Sequence, residues 1–199
     1  MNRPRRPAQL TEAQIEELSG GPDPAQLSDV AHTSAQAFVP SNSAYAPDAD
    51  VVDRVRDLAR TEGVDVIAES WAKSPEDTLP SILWRGFLLR EWIRREGAEV
   101  VSRFAAATTV NPDVEGVPSP EQVRKGWDDL FDFGGGETFS RLLAESASLL
   151  EFLATVEPVW IDSDEHDLAN IVTRRSDALA ATAEELKRGA VAYLEGTLD

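Results

Sequence analysis

Between Ile82 and Arg95 the apolar side chains Ile82, Leu83, Trp84, Phe87, Leu88, Leu89, Trp92 and Ile93 fall at positions that, at 100° per residue, cover nearly the whole circumference of a helix. A helix that is apolar all round cannot rest on a surface with one side in water. It must be enclosed by other helices, so the segment from about residue 80 to 96 predicts the central helix of a bundle. The rest of the chain supplies neighbours. Val51, Val52, Val55, Leu58 and Ala59 recur at three- and four-residue spacing, and Phe139, Leu142, Leu143, Leu149, Leu150 and Leu153 do the same later. Strand-like alternation does not extend beyond a few residues. The fold class expected is all-α, a single bundle of about six helices spanning residues 48–199.

Punctuation marks out the elements. Gly63 separates the first helical stretch from a second, with Val64, Ile67, Ala68 and Trp71, that ends near Ser74. Ser74-Pro75-Glu76-Asp77 has the form of a helix start: a serine cap, proline in the first turn and carboxylates at the positive helix end. Pro80 follows closely, so this turn can also stand as a separate short element. Gly97 stops the central helix, and a further one is expected over about residues 98–107. A loop over 111–118 leads to Ser119-Pro120-Glu121-Gln122, a second start of the same kind. Gly134-Gly135-Gly136 divides the helix that follows from one over about 137–155. The last helix is expected from about Ser163 to Leu194, with a bend near Gly189. Residues 1–47 differ in character, with six prolines, Gly20-Gly21 and Ser41-Asn42-Ser43. They are read as a largely flexible Pro/Gly/Ser-rich segment holding one short helix, opened by the capping box of Thr11 and Gln14 and closed by Gly20.

Charge narrows the classes of function. The 199 residues carry a net charge of −17, of which −15 lies in residues 48–199. Such a surface repels a phosphate backbone, so no nucleic acid is expected as partner. No run of about 18 apolar residues exists to cross a membrane, and the basic start from Met1 to Pro7 is followed by no apolar stretch that would make it a secretory signal. With no cysteine there is no disulfide, thiolate ligand or cysteine nucleophile, which suits the cytoplasm. Only Lys73, Lys125 and Lys187 are lysines among nineteen cations, a bias towards arginine that suggests a GC-rich bacterial genome.

The enclosed helix also carries charge. Arg85 falls between Leu89 and Trp92 on the wheel, and Arg90 between Leu83 and Gly86, so both are expected to be largely shielded. A shielded guanidinium needs a carboxylate or several carbonyl oxygens around it. Glu69, Asp77, Glu91 or a late acidic residue can serve. One reading makes Arg85 and Arg90 ion pairs that set helix register, with Trp71, Trp84 and Trp92 buried as packing residues. The other makes Arg85, Arg90, Trp84 and Trp92 a site for an anion or an acidic peptide.

The run Ser70-Trp71-Ala72-Lys73-Ser74-Pro75-Glu76-Asp77-Thr78-Leu79-Pro80, with Leu83-Trp84-Arg85, Leu88-Leu89-Arg90-Glu91-Trp92 and the later Ile171-Val172-Thr173-Arg174-Arg175, resembles a family of all-helical actinobacterial proteins with no assigned activity. The resemblance covers roughly residues 50–195. It implies a helical cytoplasmic protein and no particular chemistry.

The remaining motifs yield no catalytic or metal-binding residue. His166-Asp167 is similar to the pair of metal-dependent phosphohydrolases, but His32 is the one other histidine and the set would be incomplete. Asp164, Glu165 and Asp167 suit the first turn of a helix capped by Ser163. Gly134-Gly135-Gly136 lacks the lysine of a phosphate loop and is flanked by Asp132 and Glu137. No cofactor is expected. The function expected is a protein–protein interaction or regulatory accessory domain, with an unknown protein or a second copy of the chain as partner. The alternative is an enzyme or small-ligand-binding protein with a polar pocket between helices, either an acidic metal site or an arginine-lined anion site.

Overall fold

The computed structural model describes residues 24–39, 48–133, 138–156 and 175–198. Among them are eight α-helices and no strand: α1 (Pro24–Phe38), α2 (Ala49–Glu62), α3 (Val64–Ala68), α4 (Leu79–Arg95), α5 (Gly97–Val110), α6 (Pro120–Phe131), α7 (Phe139–Ala154) and α8 (Ser176–Glu195). A single 3-10 turn, Glu69–Trp71, follows α3. The segment expected as a short helix after Thr11 lies outside the described residues, as do residues 157–174. The last helix, expected from about Ser163, begins instead at Ser176, because Arg175 before it is extended.

Helix α4 is the centre. It packs against α1, α3, α5, α6 and α8, while α7 and α8 pair along their lengths beside it. Its buried set runs round the helix, from Leu79, Ile82 and Leu83 to Gly86, Phe87, Leu89, Trp92 and Ile93. The helix does not begin at Ser74. Thr78 is its cap, with Oγ1 accepting from the amide of Ser81, and Pro80 occupies the first turn. The proline fixes the start because it has no amide hydrogen to donate. Asp77, just before the cap, has a positive φ of 61°, so the chain reverses there instead of coiling on. The second expected start is formed as read: Ser119 Oγ accepts from the amide of Gln122, and Gln122 Oε1 accepts from the amide of Ser119.

Two glycines on facing surfaces set how closely the helices approach. A β-carbon on Gly86 would lie 2.0 Å from the Trp127 ring, so the flat face of that indole on α6 sits directly against the α4 backbone. At Gly189 a β-carbon would lie 2.9 Å from Ile82 Cδ1. Helix α8 continues unbroken through Gly189, and the missing β-carbon there makes room for Ile82 of α4.

The expected division at residues 47 and 48 needs correction. Helix α1 belongs to the bundle and not to a flexible segment, because Ala31, Ala35, Phe38 and Val39 are buried in the common core. The Phe38 ring meets Trp71 edge-on at 5.6 Å and stacks on Phe133 at 4.4 Å. Trp71, fully buried, donates its indole N–H to Ser34 Oγ at 3.0 Å, which satisfies a polar group that burial would otherwise orphan. The prolines that made this stretch look like a tail flank the helix and do not interrupt it. By contrast α2, whose apolar stripe predicts a neighbour of the central helix, has no fully buried residue and lies on the outside of α1 and α3.

Two substitutions test this packing. Phe38→Ala should destabilise the chain by about 3 kcal/mol, read by denaturant unfolding, since it empties an aromatic pocket. A loss below about 0.5 kcal/mol, the level of surface changes, would return α1 to the status of a tail. Gly86→Ala should cost at least about 2 kcal/mol, because a rigid indole cannot yield as a flexible side chain would.

Candidate functional site

The four residues singled out by sequence do not form one site. Arg85 points to α8, where Glu185 accepts from its Nε at 2.6 Å and its Nη2 at 3.2 Å, a two-point pairing that suits a planar guanidinium. Arg90 points to α6, donating from Nε to Asp128 Oδ1 at 2.5 Å and from Nη1 to Glu91 Oε1 at 2.9 Å. Its guanidinium also lies over the Phe131 ring, 5.9 Å from the centroid. Both arginines are thus mainly shielded and carboxylate-paired, as expected from the wheel. Glu91 and a late acid, Glu185, serve as the expected partners, and Asp77 instead accepts from Arg188. Trp92 is buried and donates to Glu96 at 3.2 Å. Trp84, expected to be buried, is only partly so. It stacks on Phe87 at 5.6 Å at the margin of the core, because α4 is not enclosed on that side.

The densest charge cluster centres on Glu91, whose side chain is 8% exposed. Beyond Arg90, it accepts from Arg94 Nε and Nη2 at 3.0 and 2.6 Å, and from Arg95 Nε at 3.0 Å. Asp128 extends the chain of pairs to Arg124, which also holds Glu121. Burial pushes the Glu91 carboxyl up, but the hydrogen bond and charge of Arg94, with the charges of Arg90 and Arg95, outweigh it and hold the group below its ordinary value. This cluster is half-legible in the sequence: Arg94 and Arg95 stand three and four residues after Glu91 on the same helix, whereas the link from Arg90 to Asp128 depends on where α6 lies.

One buried cation escaped the sequence reading. Arg103 on α5 is buried and donates from Nε to the carbonyl of Leu153 at 2.8 Å. Its Nη2 reaches the carbonyl of Val156 at 2.7 Å and Ser176 Oγ at 3.1 Å. These acceptors stand at the C-terminal end of α7 and the start of α8, where helix carbonyls lack partners and favour a cation. The single signal is its setting, an arginine among alanine and valine on a helix whose one other charge is Glu99.

Among the described residues no group of three or more histidine, aspartate or glutamate side chains is placed to hold a metal ion, and His166-Asp167 lies outside them. An open groove of about 330 Å³ is lined by Lys187, Arg188, Val191, Ala192 and Glu195 on the outer face of α8. Among the described residues no helix is long and apolar enough to cross a membrane. No protein-family model matches the chain, and no curated protein or solved structure matches it.

The Glu91 cluster has a pH signature. Its folded value is lower than its unfolded value, so the stability it contributes is present above the unfolded value and is lost as pH falls through the folded one. Glu91→Gln should destabilise the chain at neutral pH by about 2 kcal/mol. This is less than for a fully enclosed pair, because Arg94 and Arg95 reach water. The gap between variant and wild type should narrow below about pH 4.5. Equal melting of the two proteins at neutral pH would show the cluster to be idle.

Proposed function

We propose that this chain is a protein-interaction domain of the cytoplasm, of the kind implied by its resemblance to the helical actinobacterial proteins, and that it recognises a partner through the outer face of α5. The observation that carries this reading is the absence of charge there. Ala98, Val101, Ser102, Ala105, Thr108 and Thr109 are exposed and fall within about one third of the helix circumference. Val101 is 60% exposed. Of the two charged residues of α5, Arg103 is turned into the core and Glu99 is half-buried. A neutral strip of small side chains is unusual on a chain with 28% charged residues.

Small and apolar side chains let a partner helix approach closely without desolvating a charge, so the partner's contacting surface is an uncharged helix face. The arginines, by contrast, are already matched by carboxylates, so an added anion would have to displace them. This weighs against the anion-site reading.

Affinity capture from native cells with wild type and with Val101→Glu tests the proposal, with melting temperature as the control for folding. A protein retained by wild type and lost with an equally stable variant supports it. Retention of the same proteins by both contradicts it.

A further inference from the structure

The exposed face of α8 carries a second pattern. Ala180, Glu184, Lys187, Val191 and Leu194 are all exposed and follow one another at steps of four, three, four and three residues. That is the spacing of a seam that another helix can pack along. Val191 and Leu194 are 55% and 72% exposed, and the open groove lined by Lys187, Arg188, Val191, Ala192 and Glu195 runs beside them. Two apolar residues therefore stand in water at one end of the helix, with alanines at the other and an acid and a base between.

This order is complementary to itself reversed. We propose that α8 pairs with α8 of a second copy of this chain, antiparallel about a twofold axis passing between Glu185 and Leu186. In that register Glu184 of each copy faces Lys187 of the other, and Val191 of each lies over the small Ala180 of the other. Leu194 caps the outer end of the seam. A parallel pair would set Glu184 against Glu184 and Lys187 against Lys187, so charge selects the antiparallel arrangement.

The groups already around the seam allow the exchange. Lys187 is held by Glu151 of α7, and its contact with Glu184 of its own helix is long, at 3.4 Å. Arg188 is engaged by Asp77 on the flank. Lys187 can thus keep Glu151 and trade its own Glu184 for that of the second copy. A contact along one 20-residue helix, about 30 Å long, stands at the small end of specific interfaces, so the dimer is concentration-dependent.

The proposal deepens the interaction reading but uses a different helix, so the two fail separately. Val101→Glu should leave the oligomeric state unchanged, and the α8 variants should leave partner capture unchanged. Sedimentation of the full chain over a concentration series reads the dimer. Wild type should associate. Glu184→Lys and Lys187→Glu, each alone, should weaken association by about tenfold or more, since each reverses both cross-pairs.

Mixing the two single variants in equal amounts should restore a dimer, because every facing pair is then Lys against Glu. Circular dichroism melting of each variant near wild type excludes a folding defect. If a variant melts early, Leu194→Gln serves in its place and should also weaken association. A wild type that stays monomeric at the highest concentration would overturn the proposal. So would a dimer indifferent to both charge reversals, or a mixture no more associated than its components.

Discussion

The close approach of Trp127 to the backbone of α4 at Gly86 is the contact on which the bundle depends. No other side chain than hydrogen fits beneath that indole, and the distance between α4 and α6 follows from it. Asp128, next to Trp127, then faces Arg90, one turn from Gly86. The same arrangement recurs on another side of α4. There Ile82 lies against Gly189, and Arg85, three residues on, pairs with Glu185, one turn before that glycine. At each interface a glycine contact sets how near the helices come, and an ion pair one turn away sets how they slide. Neither pair adds much stability as a bare attraction, because desolvation offsets most of it. Sliding either helix by a turn would strand a guanidinium and a carboxylate without partners, and that penalty specifies the register.

The enclosure of α4 was legible because it depends on composition at helical spacing, which one chain displays alone. So was the shielding of Arg85 and Arg90. Their partners were not, since Glu185 and Asp128 are 100 and 38 residues away and many acids compete at such separations. Gly86 and Gly189 look in sequence like weak points of helices. Only the packed neighbour shows that each is required by its absent β-carbon. Helix α1 is hard to read in the sequence for a related reason. Its small residues have little helical pattern of their own, prolines stand around it in the sequence, and its place in the core depends on Phe38 entering an aromatic cluster built by Trp71, Phe131 and Phe133. Tertiary context overrode local propensity.

Charge divides the molecule into an inner and an outer economy. The inner arginines answer carboxylates or helix-end carbonyls, as Arg103 does where α7 ends and α8 begins. The acidic excess lies outside and keeps other acidic surfaces away. Against that background the faces with few charges, or with charges in self-complementary order, are those where association meets least electrostatic opposition. The outer sides of α5 and α8 are of these two kinds, and both helices are held in place by groups beneath them rather than by what they present to solvent.

A central α4 has one direct consequence for dynamics. Amides of a helix enclosed on several sides exchange with solvent only when the whole bundle opens, whereas amides of the peripheral α2 exchange through local fraying. Native-state hydrogen exchange of the full chain, resolved by residue, measures this. The amides from Leu83 to Trp92 should be the slowest of the chain, with a free energy of opening equal to that of global unfolding, and those of Ala35 to Phe38 should approach it. Exchange of the Leu83–Trp92 amides as fast as that of α2, or well below the global limit, would contradict the central place given to α4.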